Sequence, residues 1–260
     1  IIIEIEEATN FEIKATVFDL GNHEFTSKDG IKLKDHVHFF EHPLDPNRVV
    51  YVIPDVPHLL KCLRSALLEK GFFFDGVDLK LEHFQKVRED DDGETKILYK
   101  LTDEHLYCRT GLKKQRVFLA AQLLSHSVAL AFRFGKREGN IEWEKRARII
   151  QIISDWFDVS NSRQKFGRNE FESGFGVHPT KQLAALDEME NFIANLKIFG
   201  RQDVNGEELF DGGNRYKWNH GILVQIKALR ALYFEMVVNG PLDYLLTHKQ
   251  NQDCLENWFS

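Results

Sequence analysis

Five apolar, mostly β-branched residues, Val49-Val50-Tyr51-Val52-Ile53, run without interruption into Pro54-Asp55-Val56-Pro57. A run of this kind, with no polar alternation, is the mark of a strand buried on both faces, and such strands belong to parallel sheets covered by helices. Pro57 suits the first turn of a following helix, where its missing N–H costs nothing. From His58 to about Lys70 the residues Leu59, Leu63, Ala66 and Leu67 form one apolar stripe, and Gly71 closes it. Upstream, Glu12 to Phe18 reads as a second strand that ends in Asp19-Leu20-Gly21-Asn22. Two buried strands, each followed by an aspartate, predict an α/β layer with a mostly parallel sheet.

The pattern then changes. Arg88 to Lys96 (REDDDGETK) reads as a solvated charged loop. Beyond it the spacing predicts helices at about 103–108, 113–133, 143–156, 181–199 and 216–238, with long loops at Ser160–Thr180 and Gly200–Arg215. The last helix carries Trp218, Ile222, Ile226, Leu229, Tyr233 and Met236 at helical spacing. A chain of 260 residues holds one large domain or two ordinary ones. Its 21 Phe and 4 Trp, spread through a sequence that is 28% charged, exclude a disordered or low-complexity chain.

Other function classes fall away in the same manner. No apolar run approaches the roughly 20 residues of a membrane span. The cysteines Cys62, Cys108 and Cys254 stand apart, so neither a disulfide framework nor a zinc ribbon is encoded, and a reducing compartment is expected. A net charge of −6 argues against binding nucleic acid by bulk charge, although Lys113–Arg116, Lys145–Arg148 and Arg163–Arg168 are local basic clusters that could follow a phosphate backbone. His36, His38 and His42 form an HxHxxxH cluster beside Phe39 and Phe40; an alternating edge strand explains it better than a metal site lacking a fourth ligand. No GxxxxGK[ST] phosphate loop exists, and Gly174–Lys181 (GFGVHPTK) only approximates one, so P-loop GTPase chemistry is not expected.

The carboxylates carry more. Phosphodiester chemistry with two metal ions needs two or three acidic side chains gathered around Mg²⁺ ions about 4 Å apart. Oxygen ligands suit Mg²⁺, and strand ends plus a helix hold them rigidly. Asp19 after a strand and Glu256 on a late helix fit that template, with Asp253 on the same helical face. Each also has an ordinary reading: a strand-end aspartate is a common turn residue, and Asp253 would serve in the first turn of a helix.

The segments that hold these residues resemble the P-element-type transposases, including their THAP-domain relatives. They are Asp19-Leu20-Gly21, Phe40-Glu41-His42-Pro43, Pro54-Asp55-Val56-Pro57-His58-Leu59-Leu60-Lys61, Leu101-Thr102-Asp103-Glu104-His105-Leu106, Phe157-Asp158-Val159-Ser160-Asn161-Ser162, Leu246-Thr247 and Asn251 through Phe259. They cover nearly the whole chain, in order. The resemblance implies an α/β plus α chain: an RNase H-like catalytic fold interrupted by a mostly helical GTP-binding insertion. It divides the chain into residues 1–80 (part of the catalytic fold), 81–200 (the insertion) and 201–260 (the return, with the catalytic-glutamate helix).

The implied activity is Mg²⁺-dependent DNA cleavage and strand transfer by an acidic triad, with GTP as a cofactor that is not hydrolysed. Asp19 matches the second aspartate and Glu256 the glutamate, both as metal ligands, while Asp55 is the rival for the second position. The first aspartate is expected on a strand upstream of residue 1, so activity is expected of a longer parent. For GTP the matching positions are Val117, Ser125, Phe157, Asp158 and Asn161, with Lys100 as a phosphate contact and Asp253 carried over from the NQD-x-LE motif. A carboxylate suits guanine because it accepts from both N1–H and the exocyclic amine. Partners implied are DNA, at transposon ends and target, and further copies of the chain, with a nuclear location and no membrane. Cys62 and Ser65 stand where the family pattern has Asn, a departure that keeps open a second reading: a domesticated or decayed copy acting as a binding or scaffold protein.

Overall fold

A computed structural model describes residues 1–19, 37–91, 98, 101–108, 116–134, 139–202, 208–212 and 216–252. In chain order the elements are α1 (Ile2–Thr9), β1 (Ala15–Phe18), β2 (Phe39–Glu41), β3 (Val49–Pro54), α2 (Val56–Glu69), β4 (Phe72–Phe74), β5 (Val77–Leu79), α3 (Leu81–Asp90) and α4 (Asp103–Tyr107). There follow α5 (Val117–Leu123), α6 (His126–Arg133), α7 (Ile141–Ser160), α8 (Pro179–Asn195), β6 (Lys197–Gln202), β7 (Glu208–Gly212) and α9 (Lys217–Tyr233), which runs on as a π-turn over Phe234–Val238. A 3₁₀ turn spans Thr247–Gln250. Among the described residues no helix is long and apolar enough to cross a membrane.

The chain forms two compact units, both discontinuous: residues 1–56, 159–184 and 217–260 make the first, and 57–158 with 185–216 make the second. In the first, β3 is the centre of a three-stranded sheet of order β1-β3-β2. It pairs parallel with β1, Phe18 opposite Pro54, and antiparallel with β2, Phe40 opposite Val50. Val50, Val52 and Ile53 are fully buried, as the uninterrupted apolar run requires, and α9 packs against this strand. The edge strand β2 lies between His38 and His42 of the HxHxxxH segment. His42 is buried and lies 3.1 Å from the Glu6 carboxylate of α1, while His36 falls outside the described residues.

The second unit departs from expectation. It contains a four-stranded antiparallel sheet of order β5-β4-β6-β7, built from strands at 72–79 and 197–212 where the sequence spacing predicts no strand. The hairpin β4–β5 turns on Asp75-Gly76, with φ of +51° and +80°, the left-handed pair that a two-residue type I′ turn demands. Phe72, Leu79 and Ile198 are buried on one face of this sheet, where Phe72 and Phe74 meet Phe192 of α8 edge-on at 6.2 and 5.1 Å.

Other boundaries shift for physical reasons. The predicted helix 181–199 ends at Asn195 because Lys197–Phe199 pair with β4 and β7, and the expected loop 200–215 contains the β6–β7 hairpin. The helix expected over 113–133 breaks at Leu124-Ser125, where the Ser125 hydroxyl donates back to the Gln122 carbonyl (2.8 Å) and Ser125 takes the extended backbone of the residue before α6. Arg88–Asp90 are helical rather than loop, with Lys86 and Asp90 paired at 3.1 Å one turn apart. Gly71 ends α2 at φ +88°, and a Cβ there would come within 2.7 Å of the Lys80 side chain.

Candidate functional site

Parallel pairing brings two of the predicted carboxylates to one edge. With Phe18 opposite Pro54, Asp19 and Asp55 follow the carboxyl ends of neighbouring strands, and the Asp55 N–H donates to the Phe18 carbonyl (2.8 Å). The two differ in setting. Asp19 is exposed, whereas Asp55 is buried and its Oδ1 accepts the backbone N–H of Gln252 (2.9 Å) across a separation of 197 residues. Asp253 and Glu256 lie outside the described residues, but Gln252, the residue before Asp253, is fixed at these strand ends.

The segment leading there is anchored twice more within the same unit. The Thr247 hydroxyl donates to the Val159 carbonyl (2.7 Å) and accepts the Ser162 N–H (2.8 Å); Asn251 Nδ2 donates to Asn161 Oδ1 (3.2 Å). Asn161 and Asp55 therefore hold two ends of one short segment, Asn251-Gln252. The motif containing Asn251 and Gln252 does not by itself reveal either contact. No local signal could have done so, since both partners are distant in the chain.

The π-turn that continues α9 is tied to the same sheet by a half-buried polar triad. Tyr51 donates its hydroxyl to Glu235 (2.8 Å), and Lys14 pairs with the same carboxylate (2.9 Å). Burial, with the Glu235 hydrogen bond, pushes Tyr51 up to about 12. Burial opposes ionisation of Glu235, yet the bonds from Lys14 and Tyr51 hold it below the usual carboxylate range.

In the second unit, Val117 opens α5 half-buried, Ser125 directly precedes α6, and Phe157 and Asp158 lie half-buried in the last turn of α7. Asn161 belongs to the first unit, and Lys100 is outside the described residues. A polar chain joins the start of α6 to α7: His126 Nδ1 meets Gln151 Oε1 (2.7 Å), and the Gln151 amide donates to Asp155. Burial raises Asp155 to about 6 against the pull of that hydrogen bond. The basic cluster on α7 is consumed internally: Lys145 pairs with Asp75 (3.2 Å), Arg146 with Asp78 (2.7 Å) and Arg148 with Glu188. Asp78, Glu82 and His83 lie within 4.8 Å of one another, the geometry of a metal group. His83 Nδ1, however, accepts the Lys80 N–H (3.0 Å), so the neutral ring keeps its proton on Nε2, the atom facing Asp78 at 3.8 Å. That nitrogen has no lone pair to offer, and Arg146 already occupies Asp78.

A first unit that holds a parallel strand pair with aspartates at its ends, and whose chain is interrupted from residue 57 by a second unit, defines a split α/β protein. Residues 57–173 match the family described as the TNP-like, GTP-binding insertion domain. The chain is 28% identical over 251 residues to the transposable element P transposase of Drosophila melanogaster, covering 95% of this chain and 32% of that protein. It is also similar to the solved Drosophila P element transposase strand transfer complex, with a TM-score of 0.83, 26% identity, and coverage of 99% of this chain and 56% of that one. These matches support the resemblance to the P-element-type transposases, and the chain spans about a third of the length of the full-length relative it matches.

Proposed function

We propose that this chain is the central part of a DNA transposase that cuts and joins DNA on an RNase H-like fold, with Asp19 and Glu256 as the acidic pair. The observation that carries the reading is the strand-end register: Asp19 and Asp55 side by side, with the segment that leads into Asp253 and Glu256 hydrogen-bonded to one of them. Asp55 spends an oxygen on a backbone amide and is buried, which makes it a positioning group; exposed Asp19 is the better metal ligand. Carboxylate oxygens on a strand end fit Mg²⁺, which when bound supplies charge neutralisation and a more acidic water. Asp19 holds the metal side of the site, and Asp55 sets where the last segment meets the strands.

GTP binding, without hydrolysis, belongs to the segment that matches the insertion-domain family, with Val117, Ser125, Phe157 and Asp158 as its contacts there and Asp158 reading the guanine edge. DNA is the substrate, and the longer protein acts in the nucleus as an assembly of copies. The test uses that longer protein on supercoiled DNA. Asp19→Asn and Glu256→Gln each abolish nicking while the melting temperature holds; nicking retained by either would sink the assignment. Asp158→Ala should weaken GTP binding in a calorimetric titration without altering the fold.

A further inference from the structure

The four-stranded sheet of the second unit buries one face and leaves the other aromatic. Strand register puts Asp78, Phe73, Lys197, Phe199 and Phe210 together on that outer face. The three phenyl rings touch: Phe210 lies 5.2 Å from Phe73 and 5.0 Å from Phe199, and Phe73 meets Phe199 edge-on at 6.4 Å. Phe210 is 42% exposed, a large apolar group presented to water. The Lys80 ammonium sits 4.0 Å over the Phe199 ring, and that of Lys197 lies 5.5 Å over Phe210 and 5.9 Å over Phe73. Glu142 and Arg146 of α7 form a side wall, and the cleft so enclosed has a volume of about 390 Å³.

Charge decides what this cleft accepts. Its carboxylates, Asp78 and Glu142, both share Arg146 at 2.7 and 3.2 Å, and with Lys80 and Lys197 the cleft holds three cations against two carboxylates. The lysines stand among the rings. An aromatic floor with ammonium groups at its edges is complementary to an aromatic ring that carries an anion. Unpaired nucleotides have that chemistry: every base offers a π-face for stacking, and the phosphate follows the cations. The bases of an intact duplex are stacked on one another and cannot lie flat on a sheet face.

We propose that this cleft is a stacking site for unpaired nucleotides of single-stranded DNA, with Phe210 as the exposed platform and Lys197 as the phosphate contact. It goes beyond the transposase reading and does not depend on the strand-end carboxylates, so a chain with no cleavage activity would still show it.

The experiment is fluorescence anisotropy of a fluorescein-labelled oligo(dT) strand, and of a labelled duplex of equal length, titrated with the 260-residue chain. The single strand should bind more tightly than the duplex. Phe210→Ala should weaken it by about tenfold, Phe210→Trp should restore it, and Lys197→Glu should both weaken it and reduce its salt dependence. Both side chains are exposed, so melting temperatures should not move, and saturating GTP should not compete. Equal binding of duplex and single strand, no binding at all, or an unchanged affinity in Phe210→Ala would overturn the proposal. A change of sedimentation in Phe210→Ala with DNA affinity intact would overturn it too, and would make the face a contact between copies.

Discussion

The two sheets of this molecule solve the same burial problem in opposite ways. In the first, the central strand β3 is buried on both sides, with Val50 on one face and Tyr51 on the other both buried. Nothing of that strand is left for chemistry except its carboxyl end, and there the aspartates stand. In the second, one face is core and the other shows Phe73 and Phe210 to solvent. A sheet covered twice can act only at its strand ends; a sheet covered once can act across its open face. Where each sheet can bind something follows from which surface its packing leaves over.

Substitutions within each sheet measure that difference. Ile53→Ala in β3 and Phe72→Ala in β4 remove fully buried side chains and should each cost about 2–5 kcal/mol in urea unfolding, the Phe at the upper end. Phe73→Ala, one residue along and on the open face, should cost less than about 1 kcal/mol. A loss for Phe73→Ala as large as that for Phe72→Ala would break the assignment of faces.

The same contrast explains what the sequence disclosed. β3 is legible because burial on both faces demands an uninterrupted apolar run, a requirement written locally in its own residues. The Pro57 helix start, the Gly71 stop and the strand-end aspartates were legible for the same reason: each is a local steric or hydrogen-bonding demand. The hairpin β4–β5 was equally encoded, in Asp75-Gly76 between Phe72-Phe73-Phe74 and Val77-Asp78-Leu79, but three-residue strands are too short for a period to show. Lys197–Phe199 continued the apolar pattern of α8, and only pairing with Phe72-Phe73 turns it into strand. For the site, Asp19 and Asp55 were visible as residues, but their side-by-side placement rests on register between strands more than 30 positions apart. The Gln252 contact that separates their roles is longer-range still.

Asp155 tests the helical part of the second unit, with a smaller effect. Its folded-state pKa, raised by burial from 3.8 to about 6, means the unfolded chain ionises this group first. Stability from this residue should therefore fall as pH rises from about 4 to about 6 and stay lower above that. Asp155→Asn keeps an acceptor for the Gln151 amide and removes the charge. It should stabilise the chain by about 1–3 kcal/mol at pH 7.5 and by much less at pH 4.5, where the acid is already neutral. Melting curves at the two pH values check it, and equal shifts at both would mean that the carboxyl is not paying for its burial.

The smallest effect should come from the polar lock on the first sheet. Tyr51 points its hydroxyl at Glu235 beyond the end of α9, where Lys14 of the strand β1 approach also pairs. Tyr51→Phe keeps the ring and leaves Glu235 with Lys14, so the loss should be about 0.5–1.5 kcal/mol, the worth of one hydrogen bond. Because the folded protein holds the phenol up to about 12 against 10 for an ordinary tyrosine, its contribution is complete below pH 10 and is lost as pH rises from 10 to 12. An ultraviolet titration of the folded chain should accordingly show one phenolate fewer in Tyr51→Phe near the top of the range, and no difference between the two proteins near pH 10. If the missing phenolate titrates at 10, the hydroxyl is solvated rather than bonded, and the π-turn that follows α9 is held to the sheet by Lys14 alone among these two partners.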